Sequence, residues 1–161
     1  MVSMVLLQPG EDLEERLRDR LRSLQAPRIK AIVLFGSGAR GESRDRSDVD
    51  LLILHEGCGI EDPILRRRHL YKLIRGVLGW EFEDITILDM ELEDFLRPKE
   101  ISSLLLNIYW DAVPVYDKTG MLQGFLKYVK ERIAGSGLRR IRDGRAYRWI
   151  LPEPMKEVEI L

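Results

Sequence analysis

The sequence predicts an α+β domain built on a small, mixed, curved β-sheet with helices packed on one face. Three observations point there. Two wholly apolar runs, residues 31–35 and 51–54, are too short for helices and have the character of buried strands. Segments with helical spacing lie on either side of them. The link from 42 to 47 is wholly polar, so no crossover helix fits between the two runs.

Each element follows from its own pattern. Leu13, Leu17, Leu21 and Leu24 recur at helical spacing with Arg and Glu between them, so 11–25 reads as an amphipathic helix that Pro27 closes. A strand over 29–35 leads into the turn Gly36-Ser37-Gly38, and a second strand spans 49–55. Asp62 followed by Pro63 is an N-cap with proline at the first helical position. Leu70, Leu73, Ile74 and Val77 give that helix its stripe, and Gly79 stops it. Residues 80–88 alternate loosely as a third strand, with Phe82, Asp84 and Thr86 on one side and Glu81 and Glu83 outward. Pro98 opens a helix carrying Ile101, Leu104, Leu105 and Ile108 on one side; a short strand follows at 112–116. Leu122, Phe125, Leu126, Val129 and Ile133 make the last helix, which ends at Gly135. Trp80 and Trp110 read as core.

The tail changes character. Asp143-Gly144 is a two-residue hairpin signal. That register sets Arg142 opposite Arg145, a like-charge pairing that costs a ladder up to about 1 kcal/mol. Either the register differs or an acid sits nearby. Residues 157–161 read as a final short strand. The expected division is a domain over 1–118, with its N-terminal helix, and an appendage of helix and hairpin over 119–161.

Composition narrows the function classes. A chain of 161 residues with 45% hydrophobic and 33% charged content can bury a real core. A net charge of −1 exerts no global pull on nucleic acid or membrane, so nucleic acid is disfavoured as a partner despite the basic and aromatic interleaving of 139–149. The apolar run Met4 to Leu7 is too short for a signal peptide, and no run reaches membrane-spanning length. A single cysteine, Cys58, suits a reducing compartment, and the expected localisation is cytoplasmic. Whether the chain forms a homo-oligomer stays open.

The chemistry concentrates between Leu34 and Leu54. A strand has period two, so Asp48 and Asp50 share a face. Neighbouring carboxylates repel, and folding alone asks for no such pair; a divalent cation would hold them together. A glycine turn nearby offers backbone N–H groups to phosphate oxygens. Gly36-x-Gly38-x-x-Gly41 alone matches the dinucleotide fingerprint weakly, and the missing crossover helix argues against that fold. No Gly-Lys-Ser/Thr follows the turn, which excludes a P-loop.

The pattern Gly36-Ser37, ten residues, Asp48-Val49-Asp50 is more specific. Its fuller form, Gly36-Ser37-Gly38-Ala39-Arg40-Gly41 and Ser47-Asp48-Val49-Asp50-Leu51, resembles the nucleotidyltransferase superfamily typified by DNA polymerase beta, and within it the minimal nucleotidyltransferases. The family's third carboxylate, on a neighbouring strand before apolar residues, is matched by Asp84-Ile85-Thr86-Ile87. The resemblance implies the nucleotidyltransferase fold and catalytic, metal-binding roles for Asp48, Asp50 and Asp84, which would hold two Mg²⁺ ions. It implies nucleotide binding by Gly36, Ser37, Arg40 and Arg46. The implied reaction moves a nucleoside monophosphate, AMP from ATP, to a hydroxyl acceptor with release of pyrophosphate. Some small relatives act as antitoxins toward a HEPN-type protein partner, and the size suits that role.

Blander readings stand beside these. Asp84 could instead pair with an arginine or a helix terminus, and Glu83 or Glu81 would replace it if the register slipped by one. Arg40, Arg44 and Arg46 could be solvated loop charges paired with Glu42 and Asp45. His55, His69 and Cys58 read as structural, and Arg66-Arg67-Arg68 as a solvated helix face. In function, the alternatives are a non-catalytic protein on the same scaffold that acts by occlusion, and a nucleotide sensor without an acceptor.

Overall fold

The computed structural model describes residues 9–42, 48–152 and 157–161, with 9–12 as backbone only. The chain runs α1 (Pro9–Leu21), β1 (Ile29–Phe35), α2 (Gly36–Arg40), β2 (Asp48–His55), α3 (Pro63–Leu78), β3 (Asp84–Glu91) and α4 (Leu92–Leu96). It continues through α5 (Ser103–Asp111), β4 (Val113–Asp117), α6 (Leu122–Gly135), β5 (Arg139–Asp143) and β6 (Ala146–Ile150). The first four strands form one sheet in the order β3-β2-β1-β4, and β5 and β6 form a separate ribbon. β1 pairs antiparallel with β2 and β4, while β2 and β3 run parallel. The α+β class and mixed sheet are as expected. An antiparallel β1–β2 pair also disposes of the dinucleotide fold, whose first two strands are parallel.

Helices cover both faces of the sheet, not one as the sequence suggested. The reason lies in the central strands, whose runs 31–35 and 51–54 are apolar at every position and so must be buried on both sides. Ala31, Val33, Phe35, Leu52 and Leu54 enter one core with Leu92, Phe95, Tyr109, Leu126 and Val129. Ile32, Leu34, Val49, Leu51 and Ile53 enter the other with Leu17 and Leu21 of α1 and Leu70 and Ile74 of α3. In the first core Tyr109 stacks at 5.0 Å from Phe95 and 5.9 Å from Phe125, and its hydroxyl donates to the Phe95 carbonyl at 2.6 Å.

Several boundaries differ from the sequence reading for identifiable reasons. α5 starts at Ser103 rather than near Pro98, because the Ser102 hydroxyl accepts from the Leu105 amide and caps the helix there. Leu104 then turns outward. Third-strand pairing begins at Asp84, not Trp80. Arg75, buried on α3, donates to the carbonyls of Gly79, Phe82 and Glu83 and fixes 79–83 as a loop. Trp80 is accordingly 78% exposed and lies over the Arg75 guanidinium, so it is not core. Trp110 packs against the first core and Trp149. In the ribbon Arg142 faces Tyr147 and Arg140 faces Trp149, with Gly144 and Arg145 forming the turn. Gly144 has φ +66°, fitting glycine's place at the first central position of a hairpin turn, and the Arg142–Arg145 pairing is avoided. Residues 157–161 form no strand; Ile160 plugs the first core while Arg132 donates to its carbonyl at 2.7 Å. Among the described residues no helix is long and apolar enough to cross a membrane, and the Met4 to Leu7 run lies outside them.

Candidate active site

The glycine turn at the end of β1 is itself one turn of helix. Gly36 adopts φ +71°, where side chains are disfavoured, and a Cβ there would come within 2.2 Å of Asp50 Oδ2. Only glycine lets the backbone approach that carboxylate so closely. Gly38 is buried, and its missing side chain leaves room for Leu13 of α1 and for the Asp48 carbonyl. Gly41, at φ +71°, ends the turn as a left-handed cap, its amide bonding the Gly38 carbonyl.

The strand register brings the three predicted acids together on one face. Asp48 is the direct partner of Asp84, and Asp50 of Thr86, across neighbouring strands about 4.8 Å apart. Leu52, Leu54, Leu88 and Met90 continue that face into the first core, so the acids stand at its open end. Asp48 and Asp84 are exposed and Asp50 is half-buried. Burial pushes the Asp50 carboxyl above the usual carboxylate range, and the charge of Asp48 adds to this. A hydrogen bond from Thr86 and the charge of Arg40 pull the other way. Among the described residues no ion pair engages Asp48, Asp50 or Asp84, and no three His, Cys, Asp or Glu side chains close by themselves into a metal cage.

Glu81 and Glu83 are not substitutes for Asp84. Glu81 is taken by Arg16 and Arg20, and Glu83 stands exposed outside the strand. Arg40 is close enough to influence Asp50 but is not free. Its Nε donates to Glu42 at 3.0 Å and its Nη1 to Asp111 at 3.0 Å, with its guanidinium over Tyr147. Burial opposes the Arg40 charge, and these two acids outweigh it. The pairing with Glu42 expected of a loop arginine is thus present, but the stronger anchor is Asp111, whose side chain is only 5% exposed. Arg46, Arg44 and Asp45 lie outside the described residues.

Three groups near the acids escaped the sequence reading. Thr86 bonds Asp50, Asp111 anchors Arg40, and Arg75 fixes where β3 begins and hence where Asp84 stands. Only Thr86 had a local signal, two residues beyond Asp84 on the same strand face. A fourth cluster lies at the far end of the ladder and on the other face. His55 Nε2 meets Asp89 at 2.8 Å, and Arg66 and Arg67 of α3 donate to the same carboxylate. Arg66 and Arg67 are therefore not simply solvated. Burial opposes the Asp89 charge, yet His55 and Arg66 hold its carboxyl below the usual range.

A family model described as Nucleotidyltransferase domain matches residues 14–135. No curated protein matches the chain. Among solved structures the chain is similar to a toxin-antitoxin crystallised with AMP-PNP, at 23% identity and a TM-score of 0.44, over 71% of this chain and 81% of that one. It is also similar to a mutant of the toxin-antitoxin MntA-HpeT, at 19% identity and a TM-score of 0.44, over the same 71% and 81%. The family rests on the matched domain, not on these two likenesses.

Proposed function

The chain belongs to the nucleotidyltransferase domain family, and from that premise we propose that it transfers a nucleoside monophosphate, AMP from ATP, to a hydroxyl acceptor and releases pyrophosphate. The observation that carries this reading is the under-compensated acid pair beside the glycine turn. Asp50 is half-buried against Gly36 and raised in proton affinity, with Asp48 adding to its repulsion. A divalent cation relieves that repulsion, and Mg²⁺ characteristically takes one or two carboxylates with substrate oxygens, so an open set of acids suits it.

On this reading Asp48, Asp50 and Asp84 would hold two Mg²⁺ ions, which supply charge neutralisation at the phosphates and help ionise the acceptor hydroxyl. The Gly36 and Ser37 amides and the Ser37 hydroxyl bind the terminal phosphates. Asp84 accepts the acceptor's proton as that oxygen bonds to the α-phosphorus. The bond from the α-phosphorus to the bridging oxygen breaks, and its electron pair leaves with pyrophosphate. Arg40 and Arg46 neutralise the charge that develops there. The acceptor proposed is a HEPN-type protein partner, with this chain as its antitoxin.

The test is label transfer from α-labelled ATP with Mg²⁺ to candidate partner protein. Asp48→Asn and Asp50→Asn should each lower it at least about 10²-fold, the scale of losing preorganised charge in a site. A second reading is inhibition of the partner by occlusion, which needs none of the three acids. Partner inhibition that survives both substitutions, without label transfer, would select it.

A further inference from the structure

The C-terminal ribbon is tied to the glycine turn through one buried acid. Asp111, at the end of α5, accepts from Arg40 and also from both terminal nitrogens of Arg140, at 2.8 Å to Oδ1 and 2.6 Å to Oδ2. The Tyr147 ring lies 4.7 Å from the Arg40 guanidinium carbon and 3.9 Å from that of Arg140. Its hydroxyl donates to Glu42 at 2.8 Å, and Glu42 in turn accepts from Arg40. The ribbon is itself pinned to α5, since Asn107 donates to the Tyr147 carbonyl at 3.1 Å and accepts from Trp149 at 2.9 Å.

We propose that Asp111, Arg140 and Tyr147 are positioning residues that hold Arg40 for the terminal phosphates of the nucleotide, making the ribbon a clasp on the donor site. The idea rests on the nucleotidyltransferase reading above. Its basis is the donor geometry of Arg40. Of the five N–H groups of an arginine, Nε is bound to Glu42 and Nη1 to Asp111, and Nη2 has no hydrogen bond among the described residues. A guanidinium held at two of its three nitrogens is fixed in place, and its third is preorganised to meet an incoming anion. A free arginine would lose much of that gain to ordering its own side chain.

The experiment is calorimetric titration of the full chain with ATP and, separately, AMP, each with Mg²⁺, alongside thermal unfolding. Tyr147→Ala removes the ring from both guanidiniums and should weaken ATP binding about tenfold while AMP, which lacks the terminal phosphates, changes less than about twofold. Tyr147→Phe keeps the ring and should recover most of the ATP affinity. Arg140→Lys keeps the charge but cannot fork onto Asp111, and should fall between; it serves if Tyr147→Ala unfolds. Unchanged ATP affinity in Tyr147→Ala or Arg140→Lys, or equal weakening toward ATP and AMP, overturns the clasp while leaving the donor-site reading standing. Wild-type protein that binds neither nucleotide overturns the donor-site reading, and the clasp with it.

Discussion

The ladder between β2 and β3 carries acids at both ends, and the protein treats them in opposite ways. At the far end Asp89 has a fully buried side chain, yet His55, Arg66 and Arg67 surround it and its proton affinity is lowered. At the near end Asp50 shares its face with Asp48 and Asp84, meets only a threonine hydrogen bond and the more distant charge of Arg40, and its proton affinity is raised. Burial is common to both, so burial alone does not mark a site. What differs is whether charge balance closes within the chain. Asp89 is balanced by its own fold; no ion pair among the described residues balances the near-end acids, and on the proposed function a divalent cation would do so.

Substitutions should separate the two ends, beginning with the largest effect. Asp89→Asn takes the carboxylate from Arg66 and leaves His55 only Glu91, at 3.5 Å, and should cost about 3 kcal/mol in denaturant melts. A loss under about 1 kcal/mol would mean that the far end is not a structural ion pair. The acid limb follows from the same shift. Because the folded pKa of Asp89 lies below its unfolded value, its contribution is present above about pH 4 and disappears as pH falls through the folded value. Asp89→Asn should therefore flatten the loss of stability on acidification.

Asp50→Asn should move the other way. Its folded pKa is raised, so the fold favours the neutral form; that advantage is present below the unfolded pKa and is lost as pH rises through the folded value. At pH 7 the variant should match or exceed wild type, by less than about 1 kcal/mol after solvent screening, with the gap opening as pH climbs from about 4. A clear destabilisation at pH 7 would show Asp50 to be structural. Asp84→Asn, an exposed change, should alter stability by less than about 0.5 kcal/mol while still reducing transfer.

The same contrast explains what the sequence could reveal. β1, β2, α3 and α6 were legible because their signals are local: continuous apolar runs, Asp62 before Pro63, a clean stripe from Leu122 to Ile133. The acids on β2 were legible from period two, and Asp84 from the family motif. The partners of Arg40 were not, since Asp111 and Tyr147 lie far along the chain and only tertiary packing joins them. The ribbon's register was left open for a related reason. Asp143-Gly144 and Gly144-Arg145 are both acceptable local turns, and the observed one lets Arg140 reach Asp111 while Trp149 reaches Asn107. The second helical layer was missed because a run such as 31–35 says that a strand is buried, not what buries each face.

The most direct measurement is thermal unfolding of wild type and Asp50→Asn with and without Mg²⁺ and ATP together. Ligand that binds only the folded state raises the midpoint, by an amount that grows with the logarithm of its concentration over its dissociation constant. The account predicts that wild type gains several degrees and Asp50→Asn, though no less stable by itself, gains almost none. A wild type indifferent to Mg²⁺ and ATP, or a variant that responds just as strongly, would contradict the claim that these acids await an external charge.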